Sequence, residues 1–338
     1  MMKVAINGFG RIGRAFLRAS IGEKGIDIVA INDLGDLENL AYLLKYDSAY
    51  GVSDLKIEVK KEDSEVVIND NVIKFFQEKE PQNLPWGKLD VDVVVECTGM
   101  FASYEKSQTH LDAGAKRVVI SAPVKDTSDI GETILLGIND EKLKKCKISS
   151  NASCTTNAGS PILAILSDKL GVEKAILNTV HGYTSSQKLV DSPDKKDWRR
   201  GRAGAVNIVP SSTGAAIATT KAIESLSGKF DGIAIRVPVL TGSLVDITFL
   251  SSRNTSRDEV NEILEEASRD KKWEDIFTTT REALVSNDIV GTKYASIADL
   301  SLTRVVDNNL VKVLAWYDNE SGYANLLLKH VLEIKKYL

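Results

Sequence analysis

Cys154 stands in the run Ser149-Ser150-Asn151-Ala152-Ser153-Cys154-Thr155-Thr156-Asn157, a small, polar, hydrogen-bonding stretch. Pro161 and a helical run to Leu170 follow, so the stretch reads as a strand, a sharp turn and a helix with the thiol in its first turn. A helix N-terminus favours a thiolate, and an adjacent imidazolium lowers its pKa further. The candidate base is His181, at the end of a strand over residues 176–180. A lone cysteine is more often a buried, inert small hydrophobe. Cys97, placed after an apolar strand at the sheet edge, and Cys146, in a Lys-rich turn, are read in that way. A lone histidine is likewise more often structural, and His110 and His330 lie on helical patterns without competing chemistry. The scattered histidines offer no metal-ligand spacing, so no metal is expected.

A second constellation opens the chain. Asn7-Gly8-Phe9-Gly10-Arg11-Ile12-Gly13-Arg14 holds GxGxxG at Gly8, Gly10 and Gly13, between a strand and a helix. The glycines give a tight turn, close backbone approach to a pyrophosphate, and close helix–sheet packing. The helix N-terminus then offers N–H groups to phosphates. Asp33 follows the second strand about twenty positions after Gly13, where a carboxylate accepts hydrogen bonds from adenosine ribose hydroxyls. A turn or N-cap role would suit an aspartate there as well.

The elements that must hold these groups alternate in the first half. Strands are expected over residues 3–7 and 27–32, helices over 11–19 and 37–46, and an antiparallel excursion over 55–76. Residues 91–96 (VDVVVE) are apolar on both faces, as a buried parallel strand should be. Ser103 can cap a helix running to about Ala113, and residues 117–121 return as a strand. This alternation implies an α/β unit with an N-terminal Rossmann doubly wound parallel sheet. The second half has strong strands over 175–180, 233–237, 245–251 and 311–316, separated by long helices such as 256–269. It reads as an α+β catalytic domain with one mixed or antiparallel sheet. Residues 182–208 form a long polar loop, a length usually tied to function or disorder. The expected domains are 1–153, completed by a C-terminal helix over 319–338, and 154–318.

At 338 residues, two domains are the natural expectation. A net charge of −4 with interspersed signs gives no footprint for nucleic acid or an anionic membrane. One local basic patch stands out, Lys195, Lys196, Arg199, Arg200 and Arg202. No apolar run approaches the ~20 residues that span a bilayer. Three cysteines without a CxxC pair suit a reducing compartment, and a cytoplasmic location is expected.

NGFGRIGR, SNASCTTN, TVH, STGAA, RVP and WYDNE occur here in the order found in glyceraldehyde-3-phosphate dehydrogenases, and the chain resembles that family from Lys3 to about Val331. The resemblance implies an NAD-dependent phosphorylating aldehyde dehydrogenase, with Cys154 as nucleophile and His181 as its activating base. NAD would meet Gly8, Gly10, Arg11, Ile12, Gly13, Asp33, Lys79, Ser121 and Asn319. The phosphate of a phosphorylated small aldehyde would meet Thr184 and Arg236. Inorganic phosphate would meet Ser153, Thr155, Thr213 and Gly214, and Arg199 could serve either anion. A homotetramer is implied by the same resemblance.

The chain departs from the family pattern at several positions. Ala158 stands where many members carry a second cysteine, and Lys79 where an arginine often approaches the adenine. Ser321 replaces an aromatic or similar residue after the DNE motif. Gly182 follows the histidine where Ala or Ser is usual, and Leu240-Thr241-Gly242-Ser243 lacks the Asn-Val pair common after RVP. Asp33, the apolar Leu34 beside it and Pro193 favour NAD over NADP, while Ser192 is less typical. The alternatives are a dehydrogenase acting on erythrose 4-phosphate, a member using both NAD and NADP, and a binding protein that kept the fold without the chemistry.

Overall fold

A computed structural model of the chain describes every residue except Lys196, so that member of the basic patch lies outside the described residues. The chain folds as two compact units. The first comprises Met1–Ile134, Asp140–Ala152 and Leu327–Leu338; the second comprises Leu135–Asn139 and Ser153–Leu326.

The first unit begins β1 (Met2–Asn7), α1 (Arg11–Ser20), β2 (Ile26–Asn32) and α2 (Leu37–Lys45). Helix α2 is capped by Asp36, whose side chain accepts from the amide of Asn39, and its Leu37, Leu40, Ala41 and Leu44 are buried. A two-stranded ribbon, β3 (Tyr46–Asp47) with β4 (Gly51–Val52), precedes the antiparallel excursion β5 (Ile57–Lys60), β6 (Glu65–Ile68) and β7 (Asn71–Phe76). Then come β8 (Val93–Glu96), α3 (Tyr104–Asp112), β9 (Arg117–Ile120), β10 (Gly131–Thr133) and β11 (Ile148–Ser150). The nine-stranded sheet runs β10-β11-β9-β8-β1-β2-β7-β6-β5 and is parallel from β10 to β7. All four residues of β8 are buried, which explains its unbroken apolar run. Strand β8 lies between β1 and β9, so Cys97 follows an interior strand, not the sheet edge expected for it. Strands β10 and β11, three residues each, are too short to carry a periodic signal, and they escape a reading by pattern.

In the second unit, α4 (Cys154–Leu170) leads to β12 (Val172–Gly182), β13 (Val209–Ser212), α5 (Ala215–Ala222), β14 (Phe230–Val237) and β15 (Ser243–Ser251). After them come α6 (Arg257–Ser268), β16 (Phe277–Thr280), β17 (Ser296–Asp299), β18 (Arg304–Val306) and β19 (Leu310–Tyr317). Helix α7 (Ser321–Ile334) begins here, and its residues from Leu327 belong to the first unit. The eight-stranded sheet is mixed, in the order β13-β14-β12-β15-β19-β17-β16, with β18 on β19. Strand β12 runs parallel to β14 and antiparallel to β15. Its register sets His181 opposite Arg236, while β15 and β19 set Ser243 opposite Tyr317.

The stretch 182–208 is not structureless. Two single-turn 3-10 helices, Trp198–Gly201 and Gly204–Val206, punctuate it. Asp191 accepts from the amide of Ala203 and from Arg202 Nε, each within 2.9 Å. Ser192 N donates to Gly201 O at 2.8 Å. These crossing bonds let a long polar segment hold one path.

Candidate active site

The cysteine turn is built by local capping. Ala152 takes a left-handed φ of 53°, unusual for a residue with a Cβ and costing about 1 kcal/mol or more. That bend lets Ser153 cap α4: its hydroxyl accepts from the amide of Thr156 at 3.1 Å. Such a cap stabilises a helix by about 1 kcal/mol. Cys154 is therefore the first residue of α4, as its sequence context suggests.

His181 reaches it from β12. Its Nε2 lies 3.4 Å from Cys154 Sγ. On the other side of the ring, Nδ1 lies 2.6 Å from Gly182 O and beside Arg236 Nη1, which also donates to Gly182 O at 3.2 Å. The cross-strand register explains the meeting, because residues opposite one another on neighbouring strands have adjacent side chains.

Burial and Arg236 push His181 down to about 3, so the imidazole is neutral in the absence of other groups. Burial pushes the Cys154 thiol up, with Arg236 acting in the opposite direction. Singly, neither charge is welcome here. Made together by moving one proton across 3.4 Å, the two charges compensate.

Tyr317 completes the floor and has no counterpart in the sequence reading. Its buried hydroxyl bonds Thr155 Oγ1 at 2.9 Å and Thr179 Oγ1 at 2.8 Å, and its ring stands edge-on to His181. It lies within WYDNE, but only the register of β19 reveals its contacts.

The anion-binding candidates divide. Arg236 is at the pair itself. Thr184 and Ser186 share a hydroxyl–hydroxyl bond of 2.8 Å in the following turn. Thr213 and Gly214 lead into α5, with Gly214 at its N-cap and no side chain capping it. Arg199 is exposed, and its backbone amide donates to Asp197. Its neighbour Arg200 turns inward instead. Arg200 Nε donates to Ser211 Oγ at 3.2 Å, and its charge is felt at Arg236.

In the first unit the glycines act as their spacing suggests. Gly8 has a φ of +95°, and a Cβ there would stand 2.6 Å from Thr98 N. A Cβ on Gly13 would stand 2.1 Å from Gly8 O, so α1 could not close on the turn. Around Gly10 there is open space, with nothing within 4 Å of an added Cβ, at an α1 N-cap that no side chain occupies. An uncapped helix end facing open space suits a pyrophosphate. Asp33 accepts from Phe9 N at 2.6 Å and from Gly35 N at 2.8 Å, so it braces the glycine turn as well. Arg11 pairs with Asp47, Ser121 N donates to Glu96 O, Ile12 is half-buried and Lys79 is exposed.

The other two histidines are fully buried among polar partners. His110 is buried between Trp86 Nε1 and Glu96, and His330 between Ser149 Oγ and the Asn151 side chain. Burial pushes the Cys97 thiol up, with Glu96 adding to the shift.

Residues 2–104 match the family model for the glyceraldehyde 3-phosphate dehydrogenase NAD binding domain. Residues 153–319 match the model for the C-terminal domain of the same enzyme. Over 334 residues the chain is 46% identical to the glyceraldehyde-3-phosphate dehydrogenase of Clostridium pasteurianum, covering 97% of each. It is 45% identical to that of Borreliella burgdorferi, covering 96% of each. With glyceraldehyde-3-phosphate dehydrogenase 1 of Kluyveromyces lactis it shares 44% identity, over 98% of this chain and 100% of the relative. A paired thiol and imidazole on the C-terminal match, and a glycine cradle on the NAD-binding match, agree with this likeness throughout. The chain belongs to the glyceraldehyde-3-phosphate dehydrogenase family, and it is an NAD-dependent oxidoreductase.

Proposed function

We propose that the chain oxidises glyceraldehyde 3-phosphate to 1,3-bisphosphoglycerate, using NAD and inorganic phosphate, as in glycolysis. The observation that carries this reading is the thiol of Cys154 held 3.4 Å from the ring of His181, beside the Arg236 guanidinium. The names of the relatives favour this substrate over erythrose 4-phosphate.

His181 takes the thiol proton at Nε2, with Nδ1–H donating to Gly182 O, and Cys154 Sγ forms a bond to the aldehyde carbon. The proton passes to the carbonyl oxygen, giving a hemithioacetal, and a backbone N–H near Cys154 steadies the developing oxyanion. When bound, NAD supplies the hydride acceptor. His181 removes the hydroxyl proton as the C–H bond breaks, which leaves a thioester on Cys154. Inorganic phosphate then attacks the thioester carbon, the C–S bond breaks, and the thiolate leaves with an acyl phosphate as product.

Ser153, Thr155, Thr213 and Gly214 are assigned to the attacking phosphate, Thr184 and Arg236 to the substrate's phosphate. The inward-facing Arg200 supports an anion role at this site better than the exposed Arg199 does. Gly8, Gly10, Arg11, Ile12, Gly13, Asp33, Lys79, Ser121 and Asn319 are assigned to NAD. The carboxylate of Asp33 disfavours a 2′-phosphate and so disfavours NADP. Residues 1–153, completed by the C-terminal helix over 319–338, form the NAD-binding domain in this reading, and 154–318 the catalytic domain.

The protein is assigned to the cytoplasm and to a homotetramer. Leu189, Val190, Trp198, Val206 and Ile208, all within one stretch of the chain, are strongly exposed, and self-association would cover such apolar side chains. NADH absorbance with aldehyde, NAD and phosphate, each omitted in turn, tests the activity. Sustained NADH formation without phosphate would refute the phosphorylating reading.

A further inference from the structure

Two of the departures from the family pattern, Gly182 and the turn 240–243, meet in space. A Cβ on Gly182 would come within 3.0 Å of Val239 O and 3.4 Å of Thr241 Cα, so its absence lets the turn approach the end of β12. Gly242, with a φ of +89°, makes the turn; a Cβ there would strike Ser286 O at 2.4 Å. The close approach allows Gly182 N, the amide next to His181, to donate to Ser243 Oγ at 3.2 Å.

Ser243 has one hydroxyl proton, and it goes to Asn319 Oδ1 at 2.8 Å. Thr241 Oγ1 approaches the same oxygen at 3.4 Å while donating to Asp318 at 3.0 Å. The register that sets Ser243 opposite Tyr317 brings the residues after β19 to this point. Because Gly182 N already donates to Ser243 Oγ, the Ser243 proton points on to an acceptor, and the amide rotamer that offers Oδ1 is favoured over the flipped one, which would leave that proton facing N–H groups. Asn319 is only 4% exposed, and among the described residues its side-chain hydrogen bonds all fall on Oδ1. Its Nδ2 is not fully buried, so its N–H groups are free to donate to a ligand's carbonyl oxygen.

We propose that Ser243 is the positioning residue for the cofactor's carboxamide, locking Asn319 so that Nδ2 is presented as a donor to an amide oxygen. The inference rests on the reading that Asn319 meets the nicotinamide end of NAD. It also ties the backbone beside the base to the amide that orients the ring, through one hydroxyl.

Affinities for NAD and for ADP-ribose, which lacks the nicotinamide, are the measurement, made by calorimetry on the full-length protein. Ser243→Ala should lower the NAD-to-ADP-ribose affinity ratio about tenfold, the scale of one hydrogen bond lost, with ADP-ribose binding unchanged. Ser243→Cys, similar in volume but a weak donor, should lower it less, and Ser243→Thr should keep it near wild type. In an Asn319→Ala background, Ser243→Ala should change the ratio no further. If Asn319→Ala lowers the ratio while Ser243→Ala and Ser243→Cys leave it intact, the positioning role is overturned and the Asn319 reading survives. If Asn319→Ala itself leaves the ratio unchanged, that reading fails and the proposal falls with it.

Discussion

The glycine turn of the first unit and the cysteine turn of the second are both strand-to-helix junctions, and they are built on opposite plans. At Gly8, Gly10 and Gly13 the function lies in missing side chains: a Cβ on Gly13 would stand 2.1 Å from Gly8 O, while the space beside Gly10 is open. At Cys154 the function lies in side chains delivered from far along the chain: His181 from β12, Arg236 from β14 and Tyr317 from β19. A backbone site is local and is closed by a few residues. A side-chain site requires the register of a whole sheet, so its members are far apart in sequence and its energetics are shared.

Removing the nucleophile should separate the two plans most sharply. Cys154→Ser should reduce turnover by more than about a thousandfold, because a serine hydroxyl has no comparable anion at neutral pH. NAD affinity should stay nearly intact, as the glycine turn is untouched. Appreciable steady-state turnover in this variant would remove Cys154 from the mechanism.

The base comes next. His181→Asn should slow turnover about a hundredfold or more and slow alkylation of Cys154 at neutral pH, since no group then takes the proton from a buried thiol. Unchanged alkylation across the pH range would show that the 3.4 Å approach has no chemical consequence.

The glycine turn offers a contrast within itself. Gly10→Ala should leave thermal stability close to wild type, because nothing lies within 4 Å, yet weaken NAD binding about tenfold by filling the phosphate space. Gly13→Ala should lower stability and NAD binding together, because its Cβ meets backbone. In both variants the thiol should still alkylate at the wild-type rate. Equal stability of the two variants would contradict the roles given to these glycines.

How much of this was legible follows from the same contrast. The glycine spacing, Asp33, the α4 cap at Ser153 and the buried β8 can be read directly, because each depends on residues close in sequence. The pairing of Cys154 with His181 was legible only as a candidate, supported by resemblance; the register of β12 with β14 supplies Arg236 at its side. Tyr317, the inward turn of Arg200 and the Ser243–Asn319 contact were not legible, since each depends on which strands become neighbours.

The smallest expected effect is on stability at low pH. His181 and His330 are each pushed down to about 3 by burial, with Arg236 adding to the shift at His181. A depressed pKa means that the unfolded chain binds the proton more tightly. The stabilisation is therefore full above the unfolded value of about 6.5 and is lost as pH falls toward 3, up to about tenfold in the folding equilibrium per pH unit per group. His330→Gln should flatten the fall in melting temperature between about pH 6.5 and 4 relative to wild type. The same slope in both proteins would mean that His330 titrates normally in the fold.

The central claim is that Cys154 carries the oxidised substrate until phosphate removes it. Intact-protein mass spectrometry after mixing with NAD and glyceraldehyde 3-phosphate in phosphate-free buffer tests it most directly. The account predicts one acyl adduct per chain, mapped to Cys154, absent in Cys154→Ser and discharged on adding phosphate. NADH formation with no adduct at Cys154, or an adduct that phosphate does not discharge, would contradict it.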